Sequence, residues 1–182
     1  GAAMIGRAAL AATALLLAAF LISPDSFAPL LEPLTRRGAP AVYTQTSLWS
    51  LTVSHLALVA GAIAASAVIA VGLGVLVTRD SGRDFLPLAR MVTAVGQTFP
   101  PVAVLALAVP VLGFGDWPTL LALFLYGLLP IFENTLAGLT TLPPQVVEAA
   151  RGMGMTPAQR LWRVELPLAL PVILSGVRLS AV

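Results

Sequence analysis

Few side chains in this sequence could do chemistry, and most of them sit in apolar company. Glu133 stands beside Asn134 inside the run Thr119 to Thr141 and is the one acid within any such run. An ionisable group at membrane depth is a candidate for a proton relay or a contact on a solute path. Glu133 lies toward one end of its run, so it could equally face a cavity, pair with an arginine or reach the interface; a structural role weighs more than a substrate contact. His55 is the sole histidine, and without a neighbouring carboxylate or thiol it is poor evidence for a metal. Gln97, Phe99, Tyr126 and Asn134 are candidates to line a pathway, although interhelical hydrogen bonding and packing are the commoner uses of such residues. Pro100 and Pro101 join them, because prolines at membrane depth free backbone carbonyls that a neighbouring helix or a wet cavity must satisfy.

Several chemistries have no support. The sequence contains no GxxxxGK[ST], HExxH or GxSxG pattern, so a P-loop nucleotide site, a zinc peptidase and a serine hydrolase are not indicated. Catalytic, metal and cofactor residues are therefore assigned to none of its positions. There is no cysteine.

The elements that must position these residues are apolar runs. Of 182 residues, 58% are hydrophobic and 10% charged, with a mean hydropathy of +0.95. Soluble domains carry about 25% charged residues, so the composition predicts an all-α membrane protein. Spans are expected near 8–23, 48–78, 91–115, 119–141 and 168–182, the last incomplete. They form one transmembrane domain over 1–182, with a polar insert at 143–167. The first run is also compatible with a signal peptide; a retained membrane helix is the preferred reading. Asp116-Trp117-Pro118 is expected to form an interfacial turn. All ten basic residues are arginine, and they are scattered over the loops. This distribution speaks for topology and against nucleic acid. If the insert is cytoplasmic, Arg7, Arg79, Arg83, Arg90, Arg151, Arg160 and Arg163 lie inside and only Arg36 and Arg37 outside. The N-terminus is then cytoplasmic.

The insert reads as two short helices around a glycine turn. Pro143 and Pro144 open the first, where a missing N–H costs nothing. Val146, Ala149, Ala150 and Met153 recur at helical spacing as its apolar face, with Glu148 and Arg151 beside them. Gly152 and Gly154 end it. Thr156, Pro157 and Gln159 form a capping-box pattern for the second helix, which carries Leu161, Trp162 and Val164 and is expected to be limited by Pro167. The small residues suit close approach by another protein.

The order Glu148-Ala149-Ala150, three residues, Gly154, nine residues, Val164, one residue, Leu166-Pro167 resembles the EAA signature of binding-protein-dependent ABC-importer permeases. Val164 stands where isoleucine is commonest. The resemblance covers roughly Leu48 to Val182 and implies a type I ABC importer bundle in the bacterial inner membrane. The bundle would be paired with a second permease subunit, homo- or heteromeric. It implies that Glu148, Ala149, Ala150, Arg151, Gly154, Met155, Thr156 and Leu161 engage an ABC ATPase dimer. That ATPase holds ATP and Mg, and a periplasmic or lipid-anchored binding protein delivers the substrate. Members of the family continue through a full fifth span and usually a sixth, so this chain is expected to be part of a longer one. The run ALFLYGLLPIFENTLAGL with the insert is most similar to permeases for glycine betaine, choline and related osmoprotectants. Amino acids or another small solute are the alternative. A proton-coupled secondary transporter using Glu133 and His55 is a further one, disfavoured because the two halves show no hydropathy symmetry.

Overall fold

The computed structural model describes residues 2–35, 39–43 and 45–182, and every element among them is helical. Arg36 and Arg37, expected outside, fall beyond the described residues. Two compact units divide at Ala57 and Leu58. In the first, α1 (Ala2–Ile22) begins ahead of the uncharged run and takes Arg7 into the helix. A 111° bend then leads into short turns between Pro24 and Leu34, among them α2 (Ala28–Leu31). Phe20 and Phe27 meet edge to face across the bend, ring centroids 5.3 Å apart.

The helix α3 (Leu48–Val77) has 30 residues, about 45 Å at 1.5 Å per residue, which exceeds the hydrocarbon thickness and requires tilt or protrusion. The expected span 91–115 is instead two helices, α4 (Leu86–Thr98) and α5 (Pro101–Leu112). The segments Arg83–Thr98 and Pro101–Leu112 meet at 94°. The prolines explain the break. Pro100 drives the preceding Phe99 out of the helical region, to φ −110° and ψ 142°. Pro101 then opens a new helix, where its missing N–H needs no partner. Asp116-Trp117-Pro118 is also not a turn: it forms the first turn of α6 (Asp116–Thr140), where proline is tolerated because the first N–H groups lack partners. The reversal falls on Gly113 and Gly115, both with positive φ.

Beyond α6 lie α7 (Pro144–Gly152), α8 (Pro157–Arg160), a single π-turn (Leu161–Glu165) and α9 (Leu166–Ser180). Pro167 does not end the second insert helix, as the sequence suggested. The chain stays helical from Pro157 to Ser180 by widening just before the proline. The proline ring would clash with the carbonyl four residues back and cannot donate to it. The π-turn, whose Leu166 N–H reaches Leu161 O, absorbs that conflict.

Helix α6 is the hub of the second unit. Its Leu128, Ile131, Phe132 and Leu136 are buried with Ala70 and Val77 of α3 and Ala89 of α4. Leu139 packs with Ala169 and Ile173 of α9. Small residues bring backbones together at these crossings. A Cβ on Gly176 would lie 2.7 Å from Pro130 O, and one on Gly96 2.3 Å from Leu125 O. Ser66 Oγ of α3 sits 2.8 Å from Phe124 O of α6, so a buried hydroxyl fixes that crossing as well. By length and apolarity α3 and α6 can each cross a membrane alone, and each bent pair adds one crossing if it is a single span.

Candidate functional site

The pathway candidates converge at the bend between α4 and α5. Pro130 has no N–H, so the carbonyl of Tyr126, one turn earlier in α6, lacks its helical donor. Gln97 supplies one: its Nε2 donates to Tyr126 O at 3.0 Å. In return the Tyr126 hydroxyl donates to Phe99 O, a carbonyl left free by the extended residue before Pro100. The brace satisfies two unpaired backbone acceptors, one orphaned by Pro130 and one left by the extended break at Phe99, which in lipid would each be costly. Gln97, Phe99, Pro100, Pro101 and Tyr126 therefore form one cluster, and Gln97, Phe99 and both prolines remain exposed on it.

Glu133 and Asn134 do not join that cluster. Glu133 Oε1 accepts from Arg90 Nε of α4 at 3.0 Å, with both side chains about half exposed. This ion pair is the arginine partnership among the uses open to Glu133 in the sequence. Asn134 donates within its own helix to Pro130 O at 2.8 Å, and its Cβ lies close against Gly176 of α9. His55 is exposed on α3.

In the insert, the capping box forms. Gln159 N–H donates to Thr156 Oγ1 at 3.3 Å, and Thr156 N–H to Gln159 Oε1 at 3.0 Å. Gly154 takes φ +75° with nothing near its missing Cβ, so it is needed for the left-handed turn rather than for lack of space. Its N–H returns to Arg151 O at 2.9 Å and that of Met155 to Ala150 O at 3.2 Å. The apolar face is split. Ala150 is 1% exposed, spent on packing inside the chain, and is not free for another protein as the sequence suggested. Val147 accompanies it, half-buried. Val146, Ala149, Met153 and, farther along, Trp162 point outward, as do Glu148, Arg151 and Thr156. Met155 and Leu161 are half-buried.

One residue of consequence was not singled out in the sequence. Glu165, at the end of the π-turn, is 5% exposed and is the single buried charged residue among those described. Arg160 Nε reaches its Oε1 at 2.6 Å. Arg79, just past α3, places Nη1 2.6 Å from Oε2, in ionic contact but off the line a hydrogen bond needs. Burial pushes the Glu165 carboxyl pKa up, and the hydrogen bond from Arg160 together with the close charges of Arg79 and Arg160 outweighs that, leaving it below the usual value. The trio borders a polar cleft shared with Thr140, Val147 and Arg151. The signal available was an acid five residues after an arginine at the junction of insert and span. Arg79 is too distant in sequence to be paired by spacing.

A family model described as "Binding-protein-dependent transport system inner membrane component" matches residues 57–182. The chain is 45% identical over 136 residues to the osmoprotectant import permease protein OsmY of Salmonella typhimurium, covering 75% of this chain and 58% of that protein. It is 38% identical over 134 residues to the choline transport system permease protein OpuBB of Bacillus subtilis, covering 72% and 58%. It is 40% identical over 131 residues to the carnitine transport permease protein OpuCB of Listeria monocytogenes, covering 72% and 59%. The chain thus spans less than two thirds of the length of each of these relatives.

Proposed function

Because the chain belongs to the binding-protein-dependent transport system inner membrane components, a family of type I ABC importer helix bundles, we propose that it forms the solute path of an importer for quaternary-amine osmoprotectants such as glycine betaine or choline. The observation that carries this reading is the similarity, over about three quarters of the chain, to permeases named for osmoprotectants, choline and carnitine. A separate ATPase dimer holds ATP and Mg and docks on the outward face of α7. A binding protein delivers substrate on the opposite side of the membrane, and a second permease subunit completes the path. The brace at Gln97, Phe99 and Tyr126 lies beside that path. Closure of the ATPases moves the insert, and the bundle alternates between its two openings.

The test is uptake by vesicles holding this chain with its ATPase and binding protein. Radiolabelled glycine betaine is expected to enter only with ATP inside, and choline or carnitine should compete while amino acids do not. Competition by amino acids alone would overturn the substrate class, and uptake without the ATPase would overturn the importer.

In the proposed orientation the N-terminus and the insert are cytoplasmic, each bent helix pair making one crossing. Cysteines introduced at Ala28, half-buried, and Ala158, exposed, should then react with an impermeant reagent from opposite sides of the membrane. Labelling from the same side would reverse one of them and with it the cytoplasmic insert.

A further inference from the structure

We infer that Glu165 is the positioning residue through which the insert moves α3 as well as α9, an assignment that rests on the permease reading above. The insert is joined to α9 covalently and without a break, since the chain is helical from Pro157 through Ser180. Nothing in the backbone joins it to α3. The ionic link between them is one carboxylate, which holds Arg160 of the insert and Arg79 at the end of α3, each at 2.6 Å.

The placement of Glu165 follows from the proline. Pro167 forces the π-turn, and the turn leaves Glu165 facing inward at the seam where the insert, α9 and the end of α3 meet. Burying such a cluster is rarely the most stabilising choice, because apolar residues of similar volume often do as well or better. What a three-way ion cluster supplies is a fixed geometry among its members: Arg160 holds one carboxylate oxygen and Arg79 the other, and charged contacts of this kind are short and strong. A displacement of the insert by its ATPase therefore reaches two membrane helices at once. Without the cluster, α3 is left with apolar packing, Val71 and Val75 against Leu139, Ala169 and Ile173, and no polar tie to the insert.

The discriminating variant lies outside the insert. Arg79→Gln leaves the Arg160–Glu165 pair and the capping box intact. In vesicles holding the full complex, it is expected to retain the ATPase on purification and to hydrolyse ATP at the basal rate. Glycine betaine imported per ATP should fall about tenfold, within the range of ordinary coupling between sites. Arg79→Lys should restore part of the ratio, because it keeps the charge on a shorter side chain. Glu165→Gln should show the same loss if it assembles, and Arg79→Gln decides the matter if it does not. An unchanged import ratio in Arg79→Gln overturns the inference. So does loss of the ATPase from that variant, which would make the cluster a matter of insert folding. Failure of the unaltered complex to import glycine betaine with ATP would instead refute the permease reading itself.

Discussion

Met153→Asp and Ala149→Trp are expected to release the ATPase from an otherwise intact membrane complex. Ala149 faces outward on α7 and Met153, which caps its end, is 69% exposed, and neither contributes to the core that holds the insert. An apolar anchor at the centre of a docked surface is worth about 2 kcal/mol or more when lost. That corresponds to a weakening of about thirty-fold, since each 1.4 kcal/mol is tenfold. Pull-down of the ATPase and its stimulation by loaded binding protein should both fail, while Thr35→Val, remote in sequence from the insert, should behave as wild type. Retention of the ATPase by both variants would show that the outward face of α7 is not the docking surface. Ala150→Trp is a poor substitute for these variants. Its side chain would be forced into the chain's own interior, so a loss of docking would report a misfolded insert.

Gly96→Ala should have the largest effect on the bundle itself. The added methyl carbon would sit 2.3 Å from the Leu125 carbonyl oxygen and 2.5 Å from its carbon, and backbone atoms cannot turn aside as a side-chain tip can. Helix α4 must move off α6, and Gln97, the next residue, then loses Tyr126. Overpacking a close contact costs about 1–3 kcal/mol, and each kcal/mol lowers the melting temperature of a chain this size by about 2–4 °C. Gly72→Ala is the matched control, because a Cβ there meets nothing within 4 Å. Equal melting of the two variants in detergent would remove the close approach from the account of stability.

What could be read in the sequence was local. The capping box at Thr156 and Gln159, the left-handed glycine at 154 and the apolar runs around α3 and α6 are each set by residues within a few positions of one another. The side that an apolar helical face presents is not local. Val146, Ala149, Ala150 and Met153 share a spacing, yet only Ala150 is turned inward, because the neighbouring α8 and π-turn take that side. The same limit hid the donors to Tyr126 and Phe99. That Pro130 leaves Tyr126 O unpaired and that Pro100 breaks the helix at Phe99 follow from proline chemistry, whereas the identity of the group that pairs with each free carbonyl requires the crossing of α4 and α6. Glu165 was missed for a related reason. A charged residue beside Leu166-Pro167 looks like part of a solvated loop until the π-turn rotates it inward.

The glycine crossings around α6 have a consequence for motion. At Gly74 against Thr135, Gly96 against Leu125, Gly127 against Ser66 and Gly176 against Pro130, helices meet through backbone and short side chains. The atoms nearest each glycine there are backbone atoms or side-chain atoms no farther out than the γ position. Ordering such an interface costs little rotamer entropy, which is large only for long side chains. At those points one helix can shift along another without a long side chain leaving one well for the next, although sliding of α3 must also exchange the Ser66 hydrogen bond to Phe124 O. Such interfaces suit shear, the sliding of packed helices past each other. Rearrangement of this unit is therefore expected to consist of small displacements distributed over several crossings around a stationary α6.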